Sequence, residues 1–258
     1  MTAMLQELSY FDHYALAAFA ICGTFGAAAF LFWFCQYSRF AGLVRAFRGV
    51  SPPFLSVIGV LFALNLAFLA NDTWIAHDRA LNAVYKEAGS LRSIELLTRT
   101  LPPELRGPVD AAMRGYVQLT VTEEWPLLAR RQSSAGALAR LEGMLSLLSG
   151  HAVASALNPN VHRLMLEQVV DVRAMRELRI VLSQTHINPL KWMGVAFLGL
   201  LTMIAIAMVH VDQPPRGEIL AILLFASSAA PTAAIVLVQG NPYQAPAAVT
   251  AEPLAKLL

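Results

Sequence analysis

Charged residues are scarce in this sequence. Only 14% of its 258 residues are Asp, Glu, Lys or Arg, whereas 57% are hydrophobic. An ordinary globular domain carries about 25% charged residues, so the deficit predicts a membrane protein before any motif is considered. The formal net charge is +2 and the basic residues are dispersed, so we expect no nucleic-acid partner.

Cysteine is also rare in the sequence, and the common catalytic motifs are absent. Cys22 and Cys35 both fall in the first apolar run. One helix would place them roughly 20 Å apart, which is too far for a disulfide bond. The sequence has no Walker loop, Rossmann glycines, HExxH, CxxC or GxSxG motif, and its six histidines are scattered. We therefore expect no catalytic residues, no metal site and no cofactor, and the chain is not predicted to be an enzyme.

Long apolar runs, by contrast, are abundant. Four of them reach the ~20 residues that a membrane-spanning helix requires. The first run is not a signal peptide, because it is too long and lacks a basic start and a small-residue cleavage site. The predicted layout, in chain order, is an N-terminal tail (1–13), span 1 (14–38), a short basic loop (39–53), span 2 (54–75), an extramembrane helical region (76–188), span 3 (189–211), a short loop (212–218), span 4 (219–239) and a C-terminal tail (240–258).

The region between spans 2 and 3 shows helical periodicity and no strand pattern. The predicted helices are an extension of span 2 to about Thr100, a helix from about Glu104 to Glu124 stopped by Pro126, a helix capped by Ser134, and a helix from about Val161 to Gln184. The predicted fold class is all-α. It has four transmembrane helices and an inserted helical region between spans 2 and 3, built on long extensions of those spans.

The orientation of the chain is predicted from its short segments. The loop after span 1 holds Arg39, Arg45 and Arg48 without an acidic residue, and the N-terminal tail has no Lys or Arg. Cytoplasmic loops carry the excess of basic residues. We therefore expect a multi-pass protein of the cell inner membrane with an extracytoplasmic helical region, although basic residues at both ends of that region oppose this orientation.

Polar residues interrupt the apolar pattern of span 2. The candidate pore-lining residues on one helical face are Ile58, Phe62, Asn65, Phe68 and Asp72, with Leu61 as an alternative to Phe62 and Leu69 as an alternative to Phe68. Such a face would form an apolar constriction between an amide and a carboxylate. Alternatively, Asn65 packs between helices and Asp72 pairs with Lys191. A ring of Asp72 side chains would repel anions, which argues against simple anion selectivity.

Three arginines recur every third residue on the helix that leads into span 3. Arg173, Arg176 and Arg179 could attract anions or contact acidic lipid headgroups. The alternative is a solvated helix face with ion pairs such as Arg173 to Glu177. The acidic pair Glu123-Glu124 likewise admits two interpretations, a cation or acid–base site or the simple end of a helix.

Several segments together carry a family resemblance. They are "VYKEAGSL" after span 2, then "RGYVQLTVTEEWPLLARRQSS", then "VRAMRELRI" before span 3, and finally "GNPYQAPAAVTAEPL". In this order they resemble the bestrophin-like domain family of mainly bacterial membrane proteins, a family of unestablished function, from roughly Gly59 to Leu254. The most specific residues are Tyr116, Glu124, Trp125, Pro126, the three arginines and the closing Asn-Pro-Tyr. Family members usually have Asp-Pro-Phe-Gly at that last position.

The resemblance implies a homo-oligomer, such as a pentamer, in a lipid bilayer, with span 2 lining an ion path and anions as the implied class. It also implies a cytoplasmic helical region, against the charge rule. The leading hypothesis is therefore an oligomeric, bestrophin-like ion channel. The alternative is a non-conducting membrane scaffold or sensor whose helical region binds a protein partner.

Overall fold

The computed structural model describes residues 13–46, 51–184 and 189–258. Every regular element in these ranges is helical, which confirms the all-α prediction. Residues 1–12 of the predicted N-terminal tail, Arg48 of the basic loop and Asn188 at the entry to span 3 lie outside the described residues.

The helices follow one another with short connections. In chain order they are α1 (His13–Tyr37), α2 (Ala41–Ala46), α3 (Ser51–Thr98), α4 (Pro103–Leu119), a π-helical turn (Thr120–Glu124), α5 (Trp125–Ala129), α6 (Ala135–Ser149), α7 (His151–Ala156), α8 (Pro159–Gln184), α9 (Pro189–His210), α10 (Pro215–Val238) and α11 (Glu252–Ala255). In the part of the chain that the structure describes, four stretches are long and apolar enough to cross a membrane. They are α1, α3, the stretch Pro159–His210 that ends in α9, and α10, which confirms the prediction of four spanning helices.

The chain divides into two compact units. Residues 1–74 and 186–240 form the first, called the span unit, and residues 75–185 and 241–258 form the second, called the helical unit. Helix α3 contributes its N-terminal part to the span unit and its C-terminal part to the helical unit, and it runs without a break to Thr98. This confirms the predicted continuation of span 2.

Small residues allow close packing in the span unit. Helix α10 packs most extensively against α1 and also against α9, and the buried residues there include Ala28, Ala207 and Ala226. A Cβ atom added at Gly199 would lie only 3.1 Å from the Phe62 ring. Since apolar burial gives helices in lipid no net attraction, van der Waals contact at such small residues is what holds them together.

The core of the helical unit is built from apolar residues at 3–4 spacing. Helix α3 buries Ala80, Val84, Leu91 and Ile94, all of which the sequence pattern predicts. Helix α8 buries Met165, Val169 and Val172 in the same way. Burying one large aliphatic side chain contributes about 1.5–3 kcal/mol. Both stripes continue through charged residues, and these charged residues form the site described below.

The helix that begins with α4 does not end at Pro126, contrary to the prediction. Its backbone widens into the π-helical turn, where the Trp125 N–H donates to the carbonyl oxygen of Thr120 five residues back, and helix α5 then continues to Ala129. A proline breaks a regular helix because it lacks an N–H and its ring clashes with the carbonyl four residues earlier. The wider turn just before Pro126 gives the ring room.

Candidate functional site

The exposed face of α3 in the span unit carries most of the predicted pore-lining residues. Asn65, Phe68 and Asp72 are exposed, and 67% of the Phe68 surface is accessible. Leu61 lies on the same face, whereas Ile58 is half-buried at its edge. These residues form a narrow stripe, called the α3 stripe, of Leu61, Asn65, Phe68 and Asp72.

Phe62 lies beside this stripe, where its ring packs against the neighbouring spans. Its ring centroid lies 5.4 Å from that of Phe225 on α10, and the ring packs on Gly199 of α9. The structure therefore places Phe62 in the contact between spans, and Leu61, its sequence alternative, on the exposed face.

The two polar members of the α3 stripe have local partners. The Asn65 amide donates to the Leu61 carbonyl oxygen at 2.9 Å, and Lys191 Nζ lies 2.5 Å from Asp72 Oδ2. The Asp72 and Lys191 side chains remain 49% and 56% exposed. Because the lysine balances the carboxylate, the stripe presents a neutral pair rather than the bare negative charge that would repel anions.

A second set of polar residues lies in the core of the helical unit. We call it the buried network, and its charged members are Glu87 of α3, Glu124 of the π-helical turn, and Arg176 and Arg179 of α8. All four are buried, with two negative and two positive charges. Buried charges are stable only when they are paired and hydrogen-bonded, and this balance meets that condition.

Arg179 is the centre of the buried network. Its Nε donates to Glu87 Oε2 at 2.6 Å and its Nη2 to Glu87 Oε1 at 3.0 Å. The same Nη2 also lies 3.3 Å from Glu124 Oε1. Burial lowers the pKa of the guanidinium, but Glu87, Tyr116 and Glu124 together outweigh this effect and the net pKa is raised. Bidentate pairs of this kind are among the strong charge-assisted hydrogen bonds in proteins.

Tyr116 completes the Glu87 side of the network. Its hydroxyl donates to Glu87 Oε1 at 2.6 Å. Burial first, and the neighbouring carboxylate next, raise the pKa of this phenol well above its ordinary value. The hydroxyl therefore stays protonated and acts as a fixed donor.

Glu124 and Arg176 link the π-helical turn to the start of α6. Arg176 Nη2 donates to Glu124 Oε2 and, at 3.0 Å, to the Ser134 carbonyl oxygen. The Ser134 N–H donates to Glu124 Oε2 at 3.2 Å. Ser134 Oγ accepts from the Ala137 N–H at 3.1 Å, which confirms its predicted capping role, and donates to Glu123 Oε1 at 2.7 Å.

Aromatic rings and the C-terminal segment cover the buried network. The Arg179 guanidinium lies 5.0 Å from the Trp125 ring centroid, and the Tyr243 ring meets Trp125 edge-on at 5.6 Å. Trp125 Nε1 donates to the Val249 carbonyl oxygen at 3.0 Å. Asn241 donates to the carbonyl oxygens of Leu128 and Ala129, at 3.1 and 3.2 Å, where α5 ends.

The three arginines of α8 have different environments. Arg173 is exposed and pairs with Glu177 at 2.9 Å, as the solvated alternative predicts. Arg176 and Arg179 are instead buried inside the helical unit and paired with glutamates. Their guanidiniums cannot reach a lipid headgroup or an anion in solution from these positions, because the acids already occupy them.

Sequence reasoning missed Glu87 as a partner in this network. The signal that could have found it is spacing, since Glu87 stands between Val84 and Leu91 in the apolar stripe of α3. Arg176 and Arg179 extend the stripe of α8 at the same spacing beyond Val172. Acids in one core stripe and bases in another predict a buried pair.

One cavity in the described part of the helical unit is small. A cavity of about 100 Å³ in the helical unit is lined by residues that include Arg106, Asp110 and Arg114. Ligand pockets usually measure about 300–1,000 Å³. Among the residues whose placement is described, no three metal-ligating side chains come together.

Comparison with known proteins gives one family and a shared fold. A family model described as "Bestrophin-like domain" matches residues 22–254. A crystal structure of a membrane protein with a point substitution has a TM-score of 0.69 at 11% identity, over 93% of this chain and 95% of that one. A mutant bacterial bestrophin homologue from Klebsiella pneumoniae has a TM-score of 0.65 at 12% identity, over 94% of each chain. No curated protein matches the sequence.

Proposed function

Because the chain belongs to the bestrophin-like domain family, we propose that it forms an oligomeric ion channel in which the α3 stripe lines the ion path. The family and the four apolar helices make it a membrane protein of the bestrophin type. The resemblance inferred from the sequence motifs is thereby confirmed, whereas conduction, the oligomer and the path are the proposal.

The observation that carries the proposal is the exposure of polar groups on an apolar span. An amide (Asn65) and an ion pair (Asp72 with Lys191) lie on the outer surface of a helix whose other outward residues are mostly apolar. Exposing such groups to hydrocarbon is unfavourable. Several copies arranged around an axis would instead place them in a water-filled path.

The chemistry of the stripe supports a gated and weakly charged path. Leu61 and Phe68 supply apolar rings that could close a narrow pore by dewetting, and the Asn65 amide lies between them along the helix. Since each Asp72 is balanced by Lys191, the stripe does not oppose anions. This accords with the anion path that the resemblance implies.

The test is current measurement on purified protein in planar bilayers under a potassium chloride gradient. Removing one partner of the ion pair leaves a ring of unbalanced charge, so Asp72→Ala should shift the reversal potential towards anion selectivity and Lys191→Ala towards cation selectivity. Asn65→Ala should lower the conductance several-fold, because the constriction loses its polar group.

The matched control is Asn71→Ala, an exposed amide on the same helix that lies about 120° around from Asn65. It should conduct like the wild type. No current from correctly inserted wild-type protein under any gradient would contradict the channel and favour the scaffold or sensor. If Asp72→Ala and Lys191→Ala shifted the reversal potential in the same direction, the assignment of the path to the α3 stripe would be contradicted.

A further inference from the structure

An acidic residue lies completely buried in the span unit. Glu218, in the first turn of α10, has no accessible surface. Ionisable residues within spanning helices are rare and are functional candidates by default. Neither the α3 stripe nor the buried network includes Glu218.

The contacts of Glu218 satisfy only one side of its carboxyl group. Gln36 Nε2 of α1 donates to Glu218 Oε2. Glu218 Oε1 has no hydrogen-bond partner among the residues that the structure describes. Cys35, the neighbour of Gln36, is itself buried, and its thiol is a second hydrogen-bonding neighbour of the carboxyl group.

The titratable groups around Glu218 do not form an ion pair with it. The groups that face it are Cys35 from α1, Arg45 from α2 and His210 from α9. The Nδ1 atom of His210 is 2.8 Å from the Ile206 carbonyl oxygen and so is engaged there. Arg45 is exposed. Within the described ranges, no basic group forms a salt bridge with the Glu218 carboxyl.

This arrangement differs from that of Glu87 and Glu124, which are equally buried but paired with arginine. Taking an ionised carboxylate out of water costs several kcal/mol unless a counter-ion compensates for it. Adding a proton removes the charge and keeps the hydrogen bond from Gln36, since a carboxylic acid still accepts.

We infer that Glu218 is a proton-binding site in the span unit, protonated while α1, α9 and α10 are packed as they are in this structure. Loss of the proton leaves a bare charge between α1 and α10. The site therefore couples proton concentration to the packing of these helices. It goes beyond the proposed channel and does not require conduction.

The test is infrared spectroscopy of the purified full-length protein in lipid nanodiscs at neutral and alkaline pH. The C=O stretch of a protonated carboxylic acid is separate from the bands of carboxylates. Wild type should show this band at neutral pH and lose it at alkaline pH, and Glu218→Gln should lack it. The matched control Glu252→Gln removes an exposed carboxylate that pairs with Lys256 and should keep the band.

A second variant makes the test independent of whether Glu218→Gln folds. Gln36→Leu removes the hydrogen bond to the carboxyl oxygen and should move the acid band to higher frequency. The inference is overturned if the wild type shows no acid band at neutral pH. It is equally overturned if the band is present but unchanged in both Glu218→Gln and Gln36→Leu.

Discussion

Individual charges in the core of the helical unit are stable only as a set. Glu87 and Arg179 are wholly buried and form a bidentate pair. Replacing Glu87 by Gln keeps the size of the side chain but removes its charge and one of its two acceptor oxygens, so that the more distant Glu124 becomes the nearest carboxylate to Arg179. We predict that Glu87→Gln lowers the free energy of unfolding by about 3–5 kcal/mol, measured by chemical denaturation of the protein in detergent.

The control for this prediction is an exposed ion pair on α8, the helix that carries Arg179. Glu177 also pairs with an arginine, Arg173, but both side chains are more than half exposed. Exposed pairs contribute at most about 1 kcal/mol, so Glu177→Gln should be nearly neutral. Similar losses in the two variants would show that the buried network is not what stabilises the unit.

Tyr116 should make the helical unit less stable at alkaline pH. Burial raises the pKa of the Tyr116 phenol well above its ordinary value, which is about 10 in an unfolded chain. A group whose folded pKa is raised stabilises fully below the unfolded pKa, and this contribution is lost as the pH rises above it. The free energy of unfolding should therefore fall above about pH 10.

The variant that tests this is Tyr116→Phe. It should be less stable at neutral pH by roughly 1.5–3 kcal/mol, the worth of a hydrogen bond to a charged group. Above about pH 10 its decline should be shallower than that of the wild type by about 1.4 kcal/mol per pH unit. Tyr85→Phe, at an exposed phenol, should leave the slope unchanged, and a matching change there would contradict the assignment.

At the residue scale, the sequence indicated which residues belong to the site better than it predicted whether they are buried or exposed. Tyr116, Glu124 and Trp125 were singled out as a set through the family resemblance, and all three meet in the buried network. Arg176 and Arg179 were instead predicted on the surface. Helical periodicity assigns the core face from apolar residues and places charges outside by default. A buried pair is stable only because both members are present, and they are 92 residues apart.

At the element scale, the start of α6 links a helix cap to the π-helical turn. Ser134 Oγ accepts from the Ala137 N–H and donates to Glu123. We predict that Ser134→Ala lowers the free energy of unfolding by about 1–2 kcal/mol, because a helix loses its N-cap. Chemical denaturation measures this loss.

The neighbouring Ser133 provides the control for the cap. It is exposed and precedes the cap position, so Ser133→Ala should change the free energy of unfolding by no more than about 0.5 kcal/mol. An equal effect at both serines would show that the loop, rather than the cap, determines the stability of α6.

Helix boundaries were partly predictable, for a local reason. The end of α3 and the cap of α6 follow rules that depend on neighbouring residues. The continuation through Pro126 does not, because it depends on a wider turn. That turn faces the buried network with Thr120 and Glu124, and π-helical turns are frequent at functional sites. Burial of Glu124 against Arg176 and Arg179 compensates for the irregular backbone.

At the scale of the whole molecule, the sequence predicted the spans but not the place of the C-terminal residues. Four apolar helices and the unbroken α3 follow from composition and periodicity alone. The segment 240–258 was predicted as a C-terminal tail, and residues 241–258 of it belong to the helical unit. Asn241 binds carbonyl oxygens at the end of α5 and Leu254 is buried in the core. Such non-local contacts have no signature in a short segment.

The assembly of several copies can be tested by cross-linking through the α3 stripe. If copies meet around an axis lined by the stripe, Phe68 of each copy lies close to Phe68 of the next. We predict that Phe68→Cys, in a chain whose two cysteines are replaced by alanine, forms covalent dimers with a short bis-maleimide reagent in membranes. Gel electrophoresis under denaturing conditions measures the dimer fraction.

Ala63→Cys is the matched control for the axis. Ala63 is exposed on the same helix but lies about 140° around from Phe68, so its cysteine should face away from the axis and give little dimer. More dimer from Ala63→Cys than from Phe68→Cys would place a different face of α3 between copies. The ion path would then not follow Asn65 and Asp72, even if currents were observed. Preferential cross-linking at Phe68 would instead explain why an amide and an ion pair lie on the outer surface of a spanning helix.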